Sequence, residues 1–153
     1  MVITVSDRAF KGEYADKSGP VIRELLEKSG LACEVFYTLI PDDKKQLSRA
    51  FDENRDKDYI FTTGGTGISS RDVTPDATAA FCERELPGVS DYLRAESLKE
   101  TPFAVFSRAY CGIRGKTIIV NFPGSVKAVT LCTRLMIPIL EHGKKMLAGE
   151  GHG

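Results

Sequence analysis

The fold is decided by residues 62–78, which read TTGGTGISSRDVTPDAT. An apolar, strand-like segment, Tyr59–Thr63, ends abruptly in this glycine-rich loop, and Thr74-Pro75 then begins a helix. Glycines remove side-chain bulk, so backbone N–H groups can approach an anion, and the Thr and Ser hydroxyls add further donors. The stretch therefore predicts a strand, an anion-binding loop and a helix in succession, with Arg71 and Asp72 at the rim of the loop.

This loop matches neither of the common phosphate-binding patterns. It lacks the Gly-Lys-Ser/Thr ending of a P-loop and the third glycine of the dinucleotide fingerprint. A plain connection between two elements is the alternative, because glycines also mark ordinary tight turns. A polar connection of about a dozen residues is longer than most, which favours a functional loop.

Strands and helices alternate along the rest of the chain. Before the loop, the apolar pattern predicts a strand at 2–6, a helix from 18 that ends at Gly30, a strand at 33–39 with Cys33 on its apolar side, and a helix that starts at 41–43. After it, the pattern predicts helices at about 75–85 and 87–99, strands at 103–114 and 116–122 joined at Gly115, and a last helix that Ser125 caps and Pro138 kinks or restarts.

This alternation predicts the fold class. We expect an α/β three-layer sandwich with a mostly parallel sheet, helices on both faces and an antiparallel edge hairpin. The 153 residues fit a single domain at 1–150 followed by a frayed tail at 151–153.

Composition restricts the function classes. The 21 acidic and 21 basic side chains balance, so bulk charge does not point to nucleic acid, and no apolar run approaches a membrane span. We expect a cytoplasmic protein. Its four cysteines form no C-x-x-C pair and are expected in the core, without a disulfide or zinc. With only two histidines, catalysis must depend on carboxylates, hydroxyls, basic side chains or a hard cation.

Two aspartates follow strands that are expected to be parallel. Asp42 follows the second strand and Asp72 lies in the loop after the third, so both are expected at the edge of the sheet where ligands bind. Mg²⁺ is commonly held by one or two carboxylates together with substrate phosphates. The alternatives are an N-cap role for Asp42 and a turn or an ion pair with Arg71 for Asp72. The segment Asn121–Ser125 starts a second helix that could bind an anion, and nearby Arg108 is a candidate to balance phosphate charge.

Five short motifs occur in a characteristic order. They are Ser6-Asp7-Arg8-Ala9, Gly12-Glu13-Tyr14-Ala15-Asp16, Leu39-Ile40-Pro41-Asp42, Thr62–Thr78 and Asn121-Phe122-Pro123-Gly124. Together they resemble the molybdopterin-binding MogA/MoaB family, over almost the whole chain. The opening motif resembles the MogA-type branch, whose members are molybdopterin adenylyltransferases.

The resemblance implies an activity and a set of site residues. The activity is transfer of AMP from Mg-ATP to the terminal phosphate of molybdopterin, with release of pyrophosphate before molybdenum is inserted. Asp42 and Asp72 would be the catalytic residues and would hold Mg²⁺. The substrate-binding residues that the resemblance implies are Ser6, Asp7, Thr63, Gly64, Gly65, Thr66, Gly67, Arg71, Ser107, Asn121, Pro123, Gly124 and Ser125.

The resemblance also implies partners and leaves alternatives. A homotrimer is expected, with a hexamer as the other possibility, and a molybdenum-insertion protein could accept the product. One alternative function is a MoaB-like protein that binds the pterin with little or no catalysis. Another is a non-enzymatic scaffold module, since this fold also occurs in a eukaryotic receptor-clustering protein. We expect no linker or partner domain, which argues against a scaffold, and loss of Asp42 and Asp72 would have favoured it.

Overall fold

The computed structural model describes residues 1–31 and 34–150. Its elements are β1 (Val2–Val5), α1 (Asp7–Phe10), α2 (Ser18–Lys28), β2 (Tyr37–Ile40), α3 (Lys44–Glu53), β3 (Tyr59–Thr63), α4 (Thr74–Phe81), β4 (Arg84–Glu85), α5 (Pro87–Glu100), a 3₁₀-helix (Pro102–Phe106), β5 (Cys111–Arg114), β6 (Thr117–Phe122) and α6 (Val126–Leu147). The predicted strand position of Cys33 and the predicted tail at 151–153 lie outside the described residues.

The strands form one sheet in the order β2-β1-β3-β6-β5-β4. The strands β2, β1, β3 and β6 are parallel to one another, whereas β5 runs antiparallel to β6 and β4 antiparallel to β5. Gly115, at φ +57°, makes the turn between β5 and β6, a conformation that glycine adopts without steric cost. The mostly parallel sheet with an antiparallel edge hairpin is therefore confirmed.

Helices cover both faces of this sheet. Successive strand residues point to opposite faces, so Val2 and Ile3 of β1 belong to two different apolar clusters. The first cluster contains residues of α2, α5 and α6, and the second contains residues of α3 and α4. The three-layer arrangement is confirmed, and each face of the sheet has its own core.

Several predicted boundaries differ from the structure, and the strand predicted at 33–39 begins only at Tyr37. The helix predicted to reach residue 85 ends at Phe81, because Glu83 N–H bonds to the Ile113 carbonyl (2.8 Å) and β4 joins the edge of the sheet. The strand predicted from 103 starts only at Cys111, since Thr101 caps a 3₁₀-helix. The last helix continues through Pro138 instead of restarting there.

The described segments contain no helix that combines the length and the apolar character needed to cross a bilayer.

Candidate functional site

Four loops meet at one edge of the sheet. β1, β2, β3 and β6 are parallel, so their carboxyl ends lie on the same side. From β1 the chain moves to β2 on one side and later to β3 on the other, which makes the β1/β3 boundary the point where strand order reverses. Ligands in open α/β sheets bind outside such a point.

The ends of β1 and β2 are joined through two aspartates. Asp7 N–H donates to Asp42 Oδ2 (2.9 Å), and Asp42 N–H donates to Asp7 Oδ1 (3.0 Å). The N-cap of α3 is the next residue, Asp43, whose Oδ1 accepts from Gln46 N–H (2.8 Å). The N-cap alternative for Asp42 is therefore wrong, and its Oδ1 has no hydrogen bond within the described residues.

The glycine loop passes close to its neighbours. Gly64 and Gly65 have φ of +95° and +63°, where a side chain would be strained. A Cβ on Gly64 would lie 2.3 Å from the Val5 carbonyl oxygen, and one on Gly65 would lie 3.2 Å from Asp42 Oδ1. The loop backbone thus lies directly against the end of β1 and against the Asp42 carboxylate.

Asp72 is held inside the same loop. Its Oδ2 accepts from Ser69 N–H (2.8 Å), and its own N–H donates to the Ser69 carbonyl (3.1 Å). A Cβ on Gly67 would lie 2.9 Å from Asp72 Oδ2, so a side chain at this position would displace the carboxylate from where it lies. In the described part of the chain Asp72 Oδ1 accepts no hydrogen bond, which leaves one oxygen of each aspartate available.

The electrostatics of Asp42 reflect this crowding. Burial raises the pKa of the Asp42 carboxyl above its ordinary value, and repulsion from Asp7 and Asp72 acts in the same direction. The Asp7 N–H and the charge of Arg71 oppose the rise in pKa. A bound cation would relieve the repulsion between the carboxylates.

The donor set fits magnesium as the resemblance implies. Among the described residues, no three His, Cys, Asp or Glu side chains converge to hold a metal by themselves. Two carboxylates with one available oxygen each can hold Mg²⁺ if substrate phosphates and water complete the octahedron.

A cavity of about 710 Å³ surrounds these two aspartates, and we call it the acidic cavity. Eight of the predicted residues line it: Ser6, Asp42, Thr63, Gly64, Gly65, Arg71, Asp72 and Gly124. Asp7 contacts it through Asp42. The cations Lys17 and Arg71 also line it, so the cavity carries charge of both signs.

The other predicted residues line a second cavity. This cavity measures about 290 Å³, and we call it the apolar cavity because Leu93, Phe103 and Phe106 form much of its wall. The predicted residues in it are Thr66, Gly67, Ser107, Asn121, Pro123 and Ser125. The glycine loop and the Pro123–Ser125 turn separate the two cavities. Gly64, Gly65 and Gly124 line the acidic cavity, whereas Thr66, Gly67, Pro123 and Ser125 line the apolar cavity.

Some predicted polar groups already have partners within the fold. Asn121 Nδ2 donates to the hydroxyls of Thr62 and Thr78 (both 2.9 Å), and its Oδ1 accepts from Tyr110 N–H (3.1 Å). The Thr63 hydroxyl donates to the Pro123 carbonyl (2.8 Å). Part of the loop is used in the same way, because Gly64 N–H bonds to the Phe122 carbonyl (3.3 Å) and Ser69 N–H to Asp72.

Asp16 is a residue of the acidic cavity that sequence reasoning missed. Its Oδ2 accepts from the hydroxyls of Thr4 and Tyr37 (both 2.6 Å), and its Oδ1 accepts from Ser18 N–H (3.0 Å) at the start of α2. Burial, together with the hydrogen bond from the Tyr37 hydroxyl to Asp16, raises the pKa of that hydroxyl to about 12. An Asp two residues before a helix start was the available signal. Asp16 positions the segment that carries Tyr14 and Lys17 along the cavity.

Fold and site together define an α/β domain with a charged cavity at the carboxyl edge of its mostly parallel sheet. The family described as "Probable molybdopterin binding domain" matches residues 1–142, and the chain belongs to this family. The resemblance inferred from the motifs is confirmed.

Named relatives agree with this assignment. The chain is 37% identical over 153 residues to a molybdopterin adenylyltransferase of Helicobacter pylori, covering 97% of this chain and 87% of that protein. It is 38% identical over 152 residues to the molybdenum cofactor synthesis protein cinnamon of Drosophila melanogaster, with 97% of this chain covered. The chain spans only 25% of the length of cinnamon.

A solved structure has the same fold. The structure named "anomalous substructure of MogA" superposes with a TM-score of 0.90 at 34% identity, covering 95% of this chain and 97% of that chain.

Proposed function

We propose that the protein is a molybdopterin adenylyltransferase, which transfers AMP from Mg-ATP to the phosphate of molybdopterin and releases pyrophosphate. One observation carries the proposal: Asp42 and Asp72 each keep one carboxylate oxygen available beside a glycine loop that also borders a second, apolar cavity. Such an arrangement suits a reaction in which two substrates meet across one loop.

The acidic cavity is the proposed nucleotide site. Its two carboxylates would hold Mg²⁺ against the triphosphate, as carboxylates do in many nucleotide-dependent enzymes. Arg71 and Lys17 line the same cavity and would bind phosphate oxygens directly. Because Gly65 has no side chain, the loop backbone could approach the nucleotide phosphates closely at this position.

The apolar cavity is the proposed pterin site. A pterin is a flat heterocycle with polar edges, which suits an apolar wall with a few hydroxyls. Ser107 Oγ accepts from Ala109 N–H (3.3 Å) and Ser125 Oγ from Ala128 N–H (3.2 Å), so both hydroxyl hydrogens can still be donated to a ligand.

The reaction needs no protein nucleophile. A phosphate oxygen of molybdopterin attacks the α-phosphorus of ATP, a new P–O bond forms, and the bond to pyrophosphate breaks, so pyrophosphate departs with its electron pair. Asp42 and Asp72 would hold Mg²⁺, which would supply positive charge to offset the negative charge developing on the phosphoryl oxygens. Asp42 and Asp72 orient the nucleotide, Arg71 and Lys17 stabilise the charge, and the glycine loop keeps both substrates in line.

The test is direct detection of the product. The purified protein is incubated with Mg-ATP and molybdopterin, and adenylylated molybdopterin is measured by mass, with and without Mg²⁺ and with Asp72→Asn. The control is Asp52→Asn, which changes an exposed carboxylate paired with Arg55. Product that requires both Mg²⁺ and Asp72 supports the proposal.

The other outcomes identify the alternatives. Pterin binding without product would indicate a MoaB-like binding protein. Absence of both binding and product would indicate the scaffold module. Unchanged turnover in Asp72→Asn would remove Asp72 from the mechanism.

We also propose the assembly and the setting that the resemblance implies. These are a homotrimer in the cytoplasm, with a molybdenum-insertion protein as acceptor of the product. Phe103, Val105 and Phe106 are large and between 54% and 76% exposed, which supports burial of this segment by another subunit. Light scattering after size exclusion distinguishes a trimer from a hexamer, and a monomer would contradict the proposal.

A further inference from the structure

Arg108 holds the glycine loop through both its backbone and its side chain. Its backbone N–H donates to the Thr66 carbonyl (2.9 Å), and its Nε donates to the Gly67 carbonyl (2.9 Å). Its terminal nitrogens donate to the Asp72 carbonyl (2.6 Å) and to both carboxylate oxygens of Asp76 (3.2 and 3.1 Å). One guanidinium therefore joins both ends of the 67–72 segment to the first turn of α4.

The held segment is the one that carries Asp72. The Asp72 carboxylate packs against the Gly67 α-carbon and accepts from Ser69 N–H, so its position depends on the conformation of the whole segment. If the Gly67 carbonyl shifted, the close contact between Gly67 and Asp72 Oδ2 would shift with it. Arg108 thus acts on the carboxylate without touching it.

The segment that carries Arg108 is itself fixed from α5. Arg94 Nε donates to the Ser107 carbonyl and its Nη2 to the Ala109 carbonyl (both 3.0 Å). The carbonyls on both sides of Arg108 are therefore anchored, and the guanidinium reaches the loop from a held backbone.

We propose that Arg108 is a positioning residue that fixes Asp72 for catalysis, which rests on the proposed function. The alternative role, balancing substrate phosphate charge, conflicts with the geometry, because the guanidinium nitrogens point at two carbonyls and at Asp76. Arginine is needed, since only its planar fork reaches three separate acceptors at once, whereas lysine offers a single point of charge.

The test compares Arg108→Lys and Arg108→Gln with the wild type. Both should fold, because the ion pair with Asp76 is partly exposed and such pairs contribute little to stability. We expect kcat to fall about 10- to 100-fold in both, as for other residues that orient a metal-binding carboxylate, with KM for molybdopterin nearly unchanged. The Mg²⁺ concentration for half-maximal turnover should rise. A kcat of Arg108→Lys equal to the wild type would overturn the proposal.

The matched control is another ion pair of similar exposure. Arg23 and Glu27 pair on α2 at 2.8 Å, away from both cavities, so Arg23→Lys should leave kcat unchanged. Asp76→Asn distinguishes the two possible roles of Arg108, because each role predicts a change in a different kinetic parameter. If Arg108 positions the loop, losing its anchor lowers kcat; if Arg108 binds phosphate, freeing the guanidinium lowers KM instead, which would contradict the proposal.

Hydrogen exchange tests the same idea without substrate. The amides of Ser69 and Asp72 are bonded within the loop, so they should exchange faster in Arg108→Lys than in the wild type and in Arg23→Lys. Unchanged exchange would overturn the proposal. Because this measurement needs no turnover, a wild type that makes no adenylylated product would refute the proposed function and leave the role of Arg108 to be decided by exchange.

Discussion

The two cavities share one loop, but the carboxylates of Asp42 and Asp72 in the acidic cavity are bonded differently from the Asn121 amide in the apolar cavity. In the acidic cavity, Asp42 and Asp72 each use one oxygen to hold the backbone and keep the other available. In the apolar cavity, Asn121 spends both amide hydrogens on Thr62 and Thr78, and the Ser97 hydroxyl bonds to the Leu93 carbonyl. Asn121 and Ser97 therefore stabilise the structure of the site, whereas Asp42 and Asp72 keep atoms available for a ligand. All four residues line a cavity wall.

The first prediction concerns Asp42, where the largest effect is expected. Asp42→Asn keeps an oxygen that can accept from Asp7 N–H but removes a charge that would hold Mg²⁺. Since charge stabilisation by a metal contributes several kcal/mol, turnover should fall by roughly a hundredfold or more. Asp43→Asn is the control, because Asn caps α3 as well as Asp does, and it should retain turnover in the same assay.

The same variant should be more stable than the wild type. The pKa of Asp42 is raised in the folded state, so its contribution to stability is present at low pH and is lost as pH rises through the folded-state pKa. Without Mg²⁺ or nucleotide, Asp42→Asn should therefore melt above the wild type at pH 7, and the gap should narrow toward pH 4. A lower melting temperature at pH 7 would show that the ionised carboxylate stabilises this fold.

The third prediction concerns Asn121, whose side-chain amide is hydrogen-bonded within the fold. Asn121→Ala leaves buried hydroxyls and the Tyr110 N–H without their partner, which should cost about 3 kcal/mol in urea unfolding. Where the protein is still folded, kcat should change only a few-fold. A hundredfold loss of kcat in folded protein would place Asn121 among the groups that serve the ligand. Asn54→Ala, which removes a single bond to the Ala50 carbonyl, should cost less.

Two glycines compare close approach with backbone conformation alone. Gly65 and Gly115 have similar φ, +63° and +57°, but a Cβ on Gly65 would lie 2.6 Å from Thr74 Oγ1, whereas one on Gly115 would meet nothing within 4 Å. Gly65→Ala should cost about 2 kcal/mol of unfolding free energy and reduce turnover. Gly115→Ala should cost about 1 kcal/mol from conformation alone and keep full turnover. Equal effects on turnover would mean that the loop does not need its contact with Asp42.

The smallest effect sharpens the division between the cavities. Ala128 lines the apolar cavity, so Ala128→Met should occupy part of its volume and raise KM for molybdopterin roughly tenfold. The dissociation constant of Mg-ATP, measured by calorimetry, should not change. The control is Ala79→Met at an exposed position of α4. Weaker ATP binding in Ala128→Met would mean that the two substrates are not divided as proposed.

The sequence predicted the alternation of strands and helices because long apolar faces dominate it. Short elements that depend on a partner were missed. β4 has only two residues and forms because it pairs with the edge strand β5. Its sequence, Arg84-Glu85, contains no strand pattern of its own.

The site residues stay a prediction, and their arrangement could not be predicted from the sequence. The sequence placed Asp42 and Asp72 near each other, yet it could not say which of Asp42 and Asp43 caps α3, because that depends on the backbone angles of Asp43. It also could not show that the predicted residues line two separate cavities. Their separation arises from the contact between the turns at Gly64 and Gly124, which are 60 positions apart and meet only in the folded sheet.

The place of β6 in the sheet has a consequence for synthesis on the ribosome. β6 is the last strand in the described chain, yet it lies between β3 and β5, near the middle of the sheet. Until residues 117–122 have emerged, β3 has an unpaired edge of apolar residues, a surface that readily pairs with other chains. Both cavities also lack the Pro123–Ser125 turn until then. The nascent chain should therefore depend on shielding of β3 until nearly all of the domain has been made, and translation pauses before residue 117 should be the ones that promote aggregation.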